Sequence, residues 1–172
     1  EANQAGQNFK ELQLKFDLVF TSELKRAQDT AKIILENLSQ WEELNDKGKI
    51  VKNINLNERD YGDLTGLNKQ ETAEKFGEEQ VHKWRRGYSD QPPNGESLED
   101  VVARVRSYFD EVIFKEIQNN DNHNILIAAH GNSLRALLIV MNIYSPNEIN
   151  SVELSTGVPI HVLFDNNQFS IK

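Results

Sequence analysis

Residues 125–134 read Ile125-Leu126-Ile127-Ala128-Ala129-His130-Gly131-Asn132-Ser133-Leu134, and this stretch predicts a strand that passes into a helix. The first four residues form a short apolar run typical of a buried strand, and apolar residues then recur at helical spacing as far as Met141. A histidine, a glycine and two small polar residues therefore stand where a strand passes into a helix. Because the free N–H groups and the dipole of a helix N-terminus favour a phosphate, we interpret the stretch as a phosphate site that contains an imidazole.

The composition limits the classes of protein that this chain can represent. Its 172 residues suit one domain spanning 1–172, and 27 acidic against 19 basic residues give a net charge of −8. That charge argues against general binding of nucleic acid or of an anionic membrane, because either needs a basic face. The chain has no cysteine, and no apolar stretch approaches the roughly 18 residues of a membrane span. We therefore expect a cytoplasmic protein.

Strand and helix patterns alternate along the chain. The patterns predict a helix over 2–12, a strand over 16–20, a helix after an N-cap at Thr21-Ser22, an edge strand at Ile50-Val51, a polar helix over 69–86 broken at Gly77, an amphipathic helix after a capping box at 97–100, and a last strand over 157–164. This alternation predicts an α/β fold with three α/β/α layers and a mostly parallel sheet. Ligands of such sheets bind at the carboxyl ends of the strands.

A second predicted junction of strand and helix resembles the one at His130. Phe20-Thr21-Ser22 ends a strand, and Arg26 follows in the first turn of the next helix. An arginine at this place is either an ordinary surface residue or an addition to the anion-binding N–H groups. The existence of the matching junction makes the second interpretation as well supported as the first.

Two further clusters carry charge. Glu58, Arg59, Asp60 and Tyr61 lie in an irregular segment, which is either a solvated turn or a site where Glu58 serves as a general acid beside a phosphate. Arg85 and Arg86 end the polar helix that Lys69 begins, and they are either solvent-facing charges or a clamp for phosphate or carboxylate. The spacing of the histidines does not suggest a metal site, and no nucleotide-binding glycine motif is present.

Taken together, these segments resemble one known family. The segments are Phe20-Thr21-Ser22 with Lys25-Arg26-Ala27, Leu56-Asn57-Glu58-Arg59-Asp60-Tyr61-Gly62, Gly66-Leu67-Asn68-Lys69, residues 79–86, Gly95-Glu96-Ser97-Leu98, Ala129-His130-Gly131-Asn132-Ser133-Leu134-Arg135, and Thr156-Gly157-Val158-Pro159. In this order they resemble the cofactor-dependent phosphoglycerate mutases of the histidine phosphatase superfamily. The resemblance covers nearly the whole chain.

The resemblance implies an enzyme of glycolysis and gluconeogenesis that interconverts 2- and 3-phosphoglycerate by ping-pong phosphoryl transfer through a phosphohistidine. It implies 2,3-bisphosphoglycerate as the primer, no metal, and a homodimer or homotetramer. By position, His130 would stabilise the transferring phosphoryl group, Arg26 would bind it, and Glu58 would exchange a proton with the substrate. The substrate-binding residues would be Arg59, Asp60, Tyr61, Lys69, Arg85, Arg86, Gly131 and Asn132.

The chain departs from the family pattern in one respect. The phosphorylated histidine of the family lies in an Arg-His-Gly motif on a first strand inside the sheet, whereas here Ala129 precedes His130 and the only methionine is Met141. We therefore expect a truncated product, or a sequence from which a first segment carrying that motif is omitted. Two alternatives to a mutase remain open at this point: a phosphomonoester phosphatase of the same superfamily, and a non-catalytic remnant that binds phosphorylated acids.

Overall fold

The computed structural model describes residues 1–120 and 123–172, with the backbone alone at Lys69. The helices are α1 (Ala2–Glu11), α2 (Lys25–Asn37), α3 (Trp41–Asp46), α4 (Lys69–Phe76), α5 (Glu78–Arg86), α6 (Leu98–Tyr108), α7 (Phe114–Asn119) and α8 (Gly131–Val140). The strands are β1 (Leu18–Thr21), β2 (Ile50–Lys52), β3 (Ile125–Ala128), β4 (Val162–Asp165) and β5 (Gln168–Ile171). A π-helical turn, Phe109–Ile113, joins α6 to α7.

The main sheet is parallel and has the order β2-β1-β3. Val19 in the central strand pairs with Ile50 on one side and with Leu126 on the other. All four residues of β1 are buried, as expected of a strand covered on both faces. The predicted parallel sheet is therefore confirmed.

Alternate residues of β1 pack into two separate cores, because successive side chains of a strand point to opposite faces. Leu18 and Phe20 pack with the apolar residues of α6 and α8, including Val105 and Leu137. Val19 packs on the other face with residues of α1 and α2. This arrangement confirms the three predicted layers and fixes the start of both α2 and α8 at the carboxyl edge of the sheet.

The last predicted strand is wrong in its bounds, and it lies outside the parallel sheet. Residues 157–161 are not in a strand, and β4 pairs with β5 as an antiparallel hairpin instead of joining the parallel sheet. Asn166 and Asn167 form the turn with φ values of 49° and 59°, the left-handed conformation that a tight hairpin requires. Phe164 and Phe169 then pack against Phe114, which attaches the hairpin to α7.

The predicted helix boundaries have mixed outcomes. Ser97 and Asp100 form the expected capping box, and Gly77, with φ of 85°, separates α4 from α5. The predicted N-cap at Thr21-Ser22 is wrong, since α2 begins after Leu24 without a side-chain cap. The Ser22 hydroxyl instead accepts a hydrogen bond from the Leu24 N–H.

Within 1–120 and 123–172, the structure contains no helix with the length and apolarity needed to cross a bilayer.

Candidate active site at the carboxyl edge of the sheet

The site begins where β1 and β3 end side by side. Thr21 and Ala128 are paired residues, and the buried Thr21 hydroxyl donates to the Ala128 carbonyl at 2.8 Å. The chain leaves β1 through Ser22 and leaves β3 through His130. The two predicted junctions therefore meet in space, as parallel strand pairing requires.

His130 is the N-terminal cap residue of α8 and is only 8% exposed. Its Nδ1 accepts a hydrogen bond from Arg26 Nε at 3.1 Å, and its Nε2 lies 2.8 Å from the Ser22 hydroxyl oxygen. Because the guanidinium can only donate, Nδ1 is unprotonated, and we assign the ring proton to Nε2, which donates to Ser22. Both ring nitrogens are thus engaged within the protein.

The electrostatic surroundings of His130 favour its neutral form. Burial is the main cause that lowers the pKa of His130 below its ordinary value of 6.5, and the nearby Arg26 lowers it further. Glu58 opposes this shift, and Arg104 adds a smaller lowering. The backbone N–H of His130 donates to the Ser133 hydroxyl at 3.0 Å, which holds the residue at the start of α8.

Glu58 lies in the irregular segment between β2 and α4 and faces the start of α8. Its Oε1 accepts hydrogen bonds from the backbone N–H groups of Arg59 at 2.8 Å and Asn132 at 3.2 Å. Oε2 has no hydrogen-bond partner within 1–120 and 123–172. A methyl group on Gly131 would lie 3.9 Å from Oε2, so the absence of a side chain there leaves space beside the carboxylate.

Tyr61 and two arginines form a cationic group next to Glu58. Arg59 is 3% exposed as a residue. Its guanidinium lies 4.5 Å from the centre of the Tyr61 ring, and the Arg85 guanidinium lies 5.9 Å from it. Arg59 also donates to the Trp84 carbonyl at 3.0 Å. The buried Nε atoms of Arg59 and Arg85 have no partner among the residues that the structure describes. Unpaired buried cationic donors are costly, so this group is suited to an anionic ligand.

One cavity of about 510 Å³ lies against Arg26, Glu58 and Arg59. Its lining includes Leu24 and Arg26 after β1 and the segment from Asn57 to Tyr61. Asn132 reaches the same place, since its side-chain amide donates to the Tyr61 hydroxyl at 3.2 Å.

The remaining predicted site residues differ in their placement. Asp60 is exposed, and its carboxylate accepts from the Gly62 N–H in its own turn. Arg86 is exposed at the end of α5, near enough to Arg135 to affect it electrostatically. Lys69 begins α4, but its side chain lies outside the described part of the structure. The substrate contacts expected of Asp60, Arg86 and Lys69 therefore stay predictions.

Sequence reasoning assigned no role to Arg135, Glu96 or Arg104. Arg135 follows Gly131 by one helical turn and donates to the Val152 carbonyl at 3.2 Å. Burial lowers the pKa of Arg135 from its ordinary value, Arg86 adds to this, and Glu58 and Tyr61 oppose it. Its position four residues after Gly131 was a usable signal, because residues at that spacing share a helix face. Glu96 and Arg104 form an ion pair at 2.8 Å beneath the Glu58 segment.

Among the described residues there is no group of three or more histidine, cysteine, aspartate or glutamate side chains arranged to hold a metal ion.

Comparison with known families gives a match over the whole chain. The family model described as histidine phosphatase superfamily (branch 1) matches residues 1–172. A curated relative from Bartonella bacilliformis, named 2,3-bisphosphoglycerate-dependent phosphoglycerate mutase, is 51% identical over 162 residues, or 93% of this chain and 74% of the relative. A relative of the same name from Methylocella silvestris is 49% identical over 160 residues, with the same two shares.

Solved structures with the same architecture are more distant in sequence. A mycobacterial glucosyl-3-phosphoglycerate phosphatase complexed with VO3 superposes with a TM-score of 0.80 at 21% identity, covering 99% of this chain and 80% of that one. The alpha-ribazole phosphatase from Shigella flexneri gives a TM-score of 0.70 at 22% identity, with shares of 99% and 79%. At these identities the likeness concerns the fold alone.

Proposed function

Since this chain belongs to the histidine phosphatase superfamily, we propose that it interconverts 2- and 3-phosphoglycerate by phosphoryl transfer. The observation that carries the proposal is the placement of Glu58 between two cationic groups. One group is His130 with Arg26, and the other is Arg59 with Arg85 around Tyr61. 3-Phosphoglycerate has a phosphate and a carboxylate at its two ends, so two separate cationic groups match its charges. Relatives near 50% identity that are named as phosphoglycerate mutases support this reading.

The phosphate end is assigned to Arg26 and His130. Arg26 uses Nε for His130, and its terminal nitrogens have no hydrogen-bond partner within the described ranges. A phosphoryl group in transfer carries charge on its equatorial oxygens, and positioned cations and N–H donors stabilise that charge. The free guanidinium nitrogens of Arg26 are donors of this kind, and the Nε2 proton of His130 would become one when a phosphoryl oxygen replaces the Ser22 hydroxyl as its acceptor.

We assign His130 this stabilising role and not that of the phosphorylated histidine. A nucleophilic imidazole needs a nitrogen with a free lone pair, whereas Nε2 carries the ring proton here and the lone pair of Nδ1 accepts from Arg26 Nε. The phosphorylated histidine implied by the family resemblance is left unassigned within residues 1–172.

Glu58 is the group that exchanges a proton with the substrate hydroxyl. Its Oε1 is held by two N–H donors, which fixes the direction of the carboxylate and leaves Oε2 to act. The carboxylate shares its cavity with Arg26 and Arg59, so a substrate bound by those two residues would lie next to it.

The primer of the proposed reaction is 2,3-bisphosphoglycerate. The residues present fit a ligand with several anionic groups, because the buried Nε atoms of Arg59 and Arg85 have no partner in the described residues. When bound, a bisphosphorylated acid supplies a transferable phosphoryl group. Arg26 and His130 would hold one of its phosphates, and Arg59, Arg85, Arg86 and Lys69 would hold its other anionic groups.

The test supplies the full-length protein with 3-phosphoglycerate and a trace of 2,3-bisphosphoglycerate, and follows 2-phosphoglycerate and inorganic phosphate together by phosphorus NMR. We expect isomerisation to exceed phosphate release. Dominant phosphate release would replace the proposal with a phosphomonoester phosphatase of the same superfamily. Binding of 3-phosphoglycerate without either product would identify a non-catalytic remnant. The same preparation, analysed by ultracentrifugation, tests the proposed homodimer or homotetramer.

A further inference from the structure

We infer that Glu96 and Arg104 form a clamp that positions Glu58 for proton transfer. The inference rests on the proposed role of Glu58 and adds two positioning residues that do not touch the substrate. Both lie outside the group of arginines around Tyr61, and neither lines the cavity. Their contacts are to the backbone of the segment that carries Glu58.

Arg104 holds the segment from the N-terminal side of Glu58. It projects from α6, where one terminal nitrogen donates to the Asn55 carbonyl at 2.5 Å and the other donates to the Asn57 carbonyl at 3.0 Å. The second nitrogen also lies 3.4 Å from the Glu58 carbonyl. One guanidinium thus satisfies the carbonyl groups of a segment that forms no strand or helix at Glu58.

Glu96 holds the same segment from the C-terminal side. Its Oε2 accepts a hydrogen bond from the Asp60 N–H at 2.9 Å, and its own N–H donates to the Asp60 carbonyl at 2.7 Å. Glu96 immediately precedes Ser97, whose capping box fixes the start of α6. The position of Asp60 is therefore tied to a rigid helix.

The two side chains bind each other as well as the segment. Arg104 Nε lies 2.8 Å from Glu96 Oε1, and a terminal nitrogen lies 3.0 Å from Oε2, which is a bidentate pair. Their side chains are 19% and 26% exposed, so the pair is shielded from water and from salt more than a surface pair is. The planar fork of arginine reaches carbonyls and carboxylate together, and a lysine cannot reproduce this set of contacts.

The clamp determines where the Glu58 carboxylate lies. Backbone groups on both sides of Glu58 are fixed to α6, and Glu58 itself bonds to the Asn132 N–H at the start of α8. A displacement of about 1 Å at a reacting group lowers rates by about 10²-fold. Loss of the clamp should consequently affect turnover more than binding of the substrate. Arg26 and His130 lie outside the clamped segment, and the Arg59 side chain is also held by the Trp84 carbonyl.

The experiment compares Arg104→Lys with Arg106→Lys, a matched control at an exposed arginine on the same helix. In the full-length protein, we expect Arg104→Lys to lower kcat by about ten- to a hundredfold while KM for 3-phosphoglycerate changes by less than about threefold. Arg106→Lys should leave both constants unchanged. An unchanged kcat in folded Arg104→Lys, or equal losses in the two variants, would overturn the inference.

A second measurement does not depend on turnover. Amide hydrogen exchange reports the N–H groups of Arg59 and Asn132, which both donate to Glu58 Oε1. Their exchange should accelerate at least about tenfold in Arg104→Lys, with the amides of β1 unchanged. If the wild-type protein lacks mutase activity but this acceleration occurs, the proposed function fails and the clamp stands. If mutase activity is present and the exchange rates do not change, the clamp fails alone.

Discussion

The two junctions of strand and helix that build the site supply positive charge in different ways. After β3, two residues precede α8, and the backbone N–H of Asn132 in its first turn donates to Glu58. After β1, three residues precede α2, and the positive group is the side chain of Arg26. The first junction offers fixed backbone dipoles around a buried imidazole, and the second offers the side-chain charge of an exposed arginine. The proposed phosphoryl transfer would benefit from both, because fixed donors are preorganised and a side chain can adjust.

The largest expected effect is that of removing the His130 imidazole, compared with every other group at the two junctions. His130→Gln should lower kcat for mutase turnover by about 10²–10³-fold, because it removes a positioned donor to the transferring phosphoryl group. The measurement is the initial rate of 2-phosphoglycerate formation by the full-length protein. His161→Gln, at an exposed histidine, is the control. A His130→Gln variant with a rate within threefold of wild type would break the comparison, since the second junction would then suffice.

An intermediate effect concerns the two serines, one at each junction. Ser22 and Ser133 are both fully buried and bonded to His130, the first to the ring and the second to the backbone N–H. Removing either hydroxyl leaves a buried N–H without its partner, so each alanine variant should lose about 1–3 kcal/mol of the free energy of unfolding in urea. Only Ser22→Ala should also lower kcat, since only Ser22 contacts the imidazole. Equal losses of kcat in both variants would show that ring orientation is not what distinguishes the junctions.

The smallest effect is a pH dependence. Because burial and Arg26 lower the pKa of His130 below 6.5, the unfolded chain binds a proton more readily than the folded one. This residue therefore makes stability rise with pH between its lowered folded pKa and 6.5, and it adds no slope above 6.5. Arg26→Gln should raise the pKa of His130 and reduce that slope, whereas Lys25→Gln at the exposed neighbouring residue should not. Proton NMR of the ring and urea midpoints across this pH range check both effects. A pKa that does not move in Arg26→Gln would contradict the assigned coupling.

The parts of the fold that follow from local pattern were predictable. The apolar run of β3 and the helical spacing after it identify the central junction, and Gly77 marks the break between two helices. The local signal for β5 is weak, because Gln168 and Ser170 alternate with only two apolar residues. The Asn166-Asn167 pair that precedes β5 is the one clear sign of a hairpin turn. The predicted N-cap at Thr21-Ser22 is wrong because the Ser22 hydroxyl binds the Leu24 N–H and the His130 ring. The contact with His130 depends on the neighbouring strand.

The site divides in the same way. Glu58, Arg59 and Tyr61 stand next to one another in sequence, so their clustering was visible. The role of Arg104 was not visible in the sequence, since a charged residue on α6 resembles any charge on a solvated helix face. Its partners Asn55 and Asn57 lie 49 and 47 positions away. Contacts across such distances arise from the tertiary fold and leave no local signal.

Two loops cross at Gly62 and Gly95, and their close contact limits which loop sequences this protein can accept. Gly62 has a φ of 53°, and a methyl group on it would collide with the Pro93 carbonyl, while one on Gly95 would lie 2.7 Å from the Asp60 carbonyl. The loop that carries Glu58 and Gly62 and the loop that precedes α6 therefore fit together only as a pair. Grafting either loop alone into a related scaffold should fail, and exchange of both together should succeed. The two loops form a single module for evolution and for engineering.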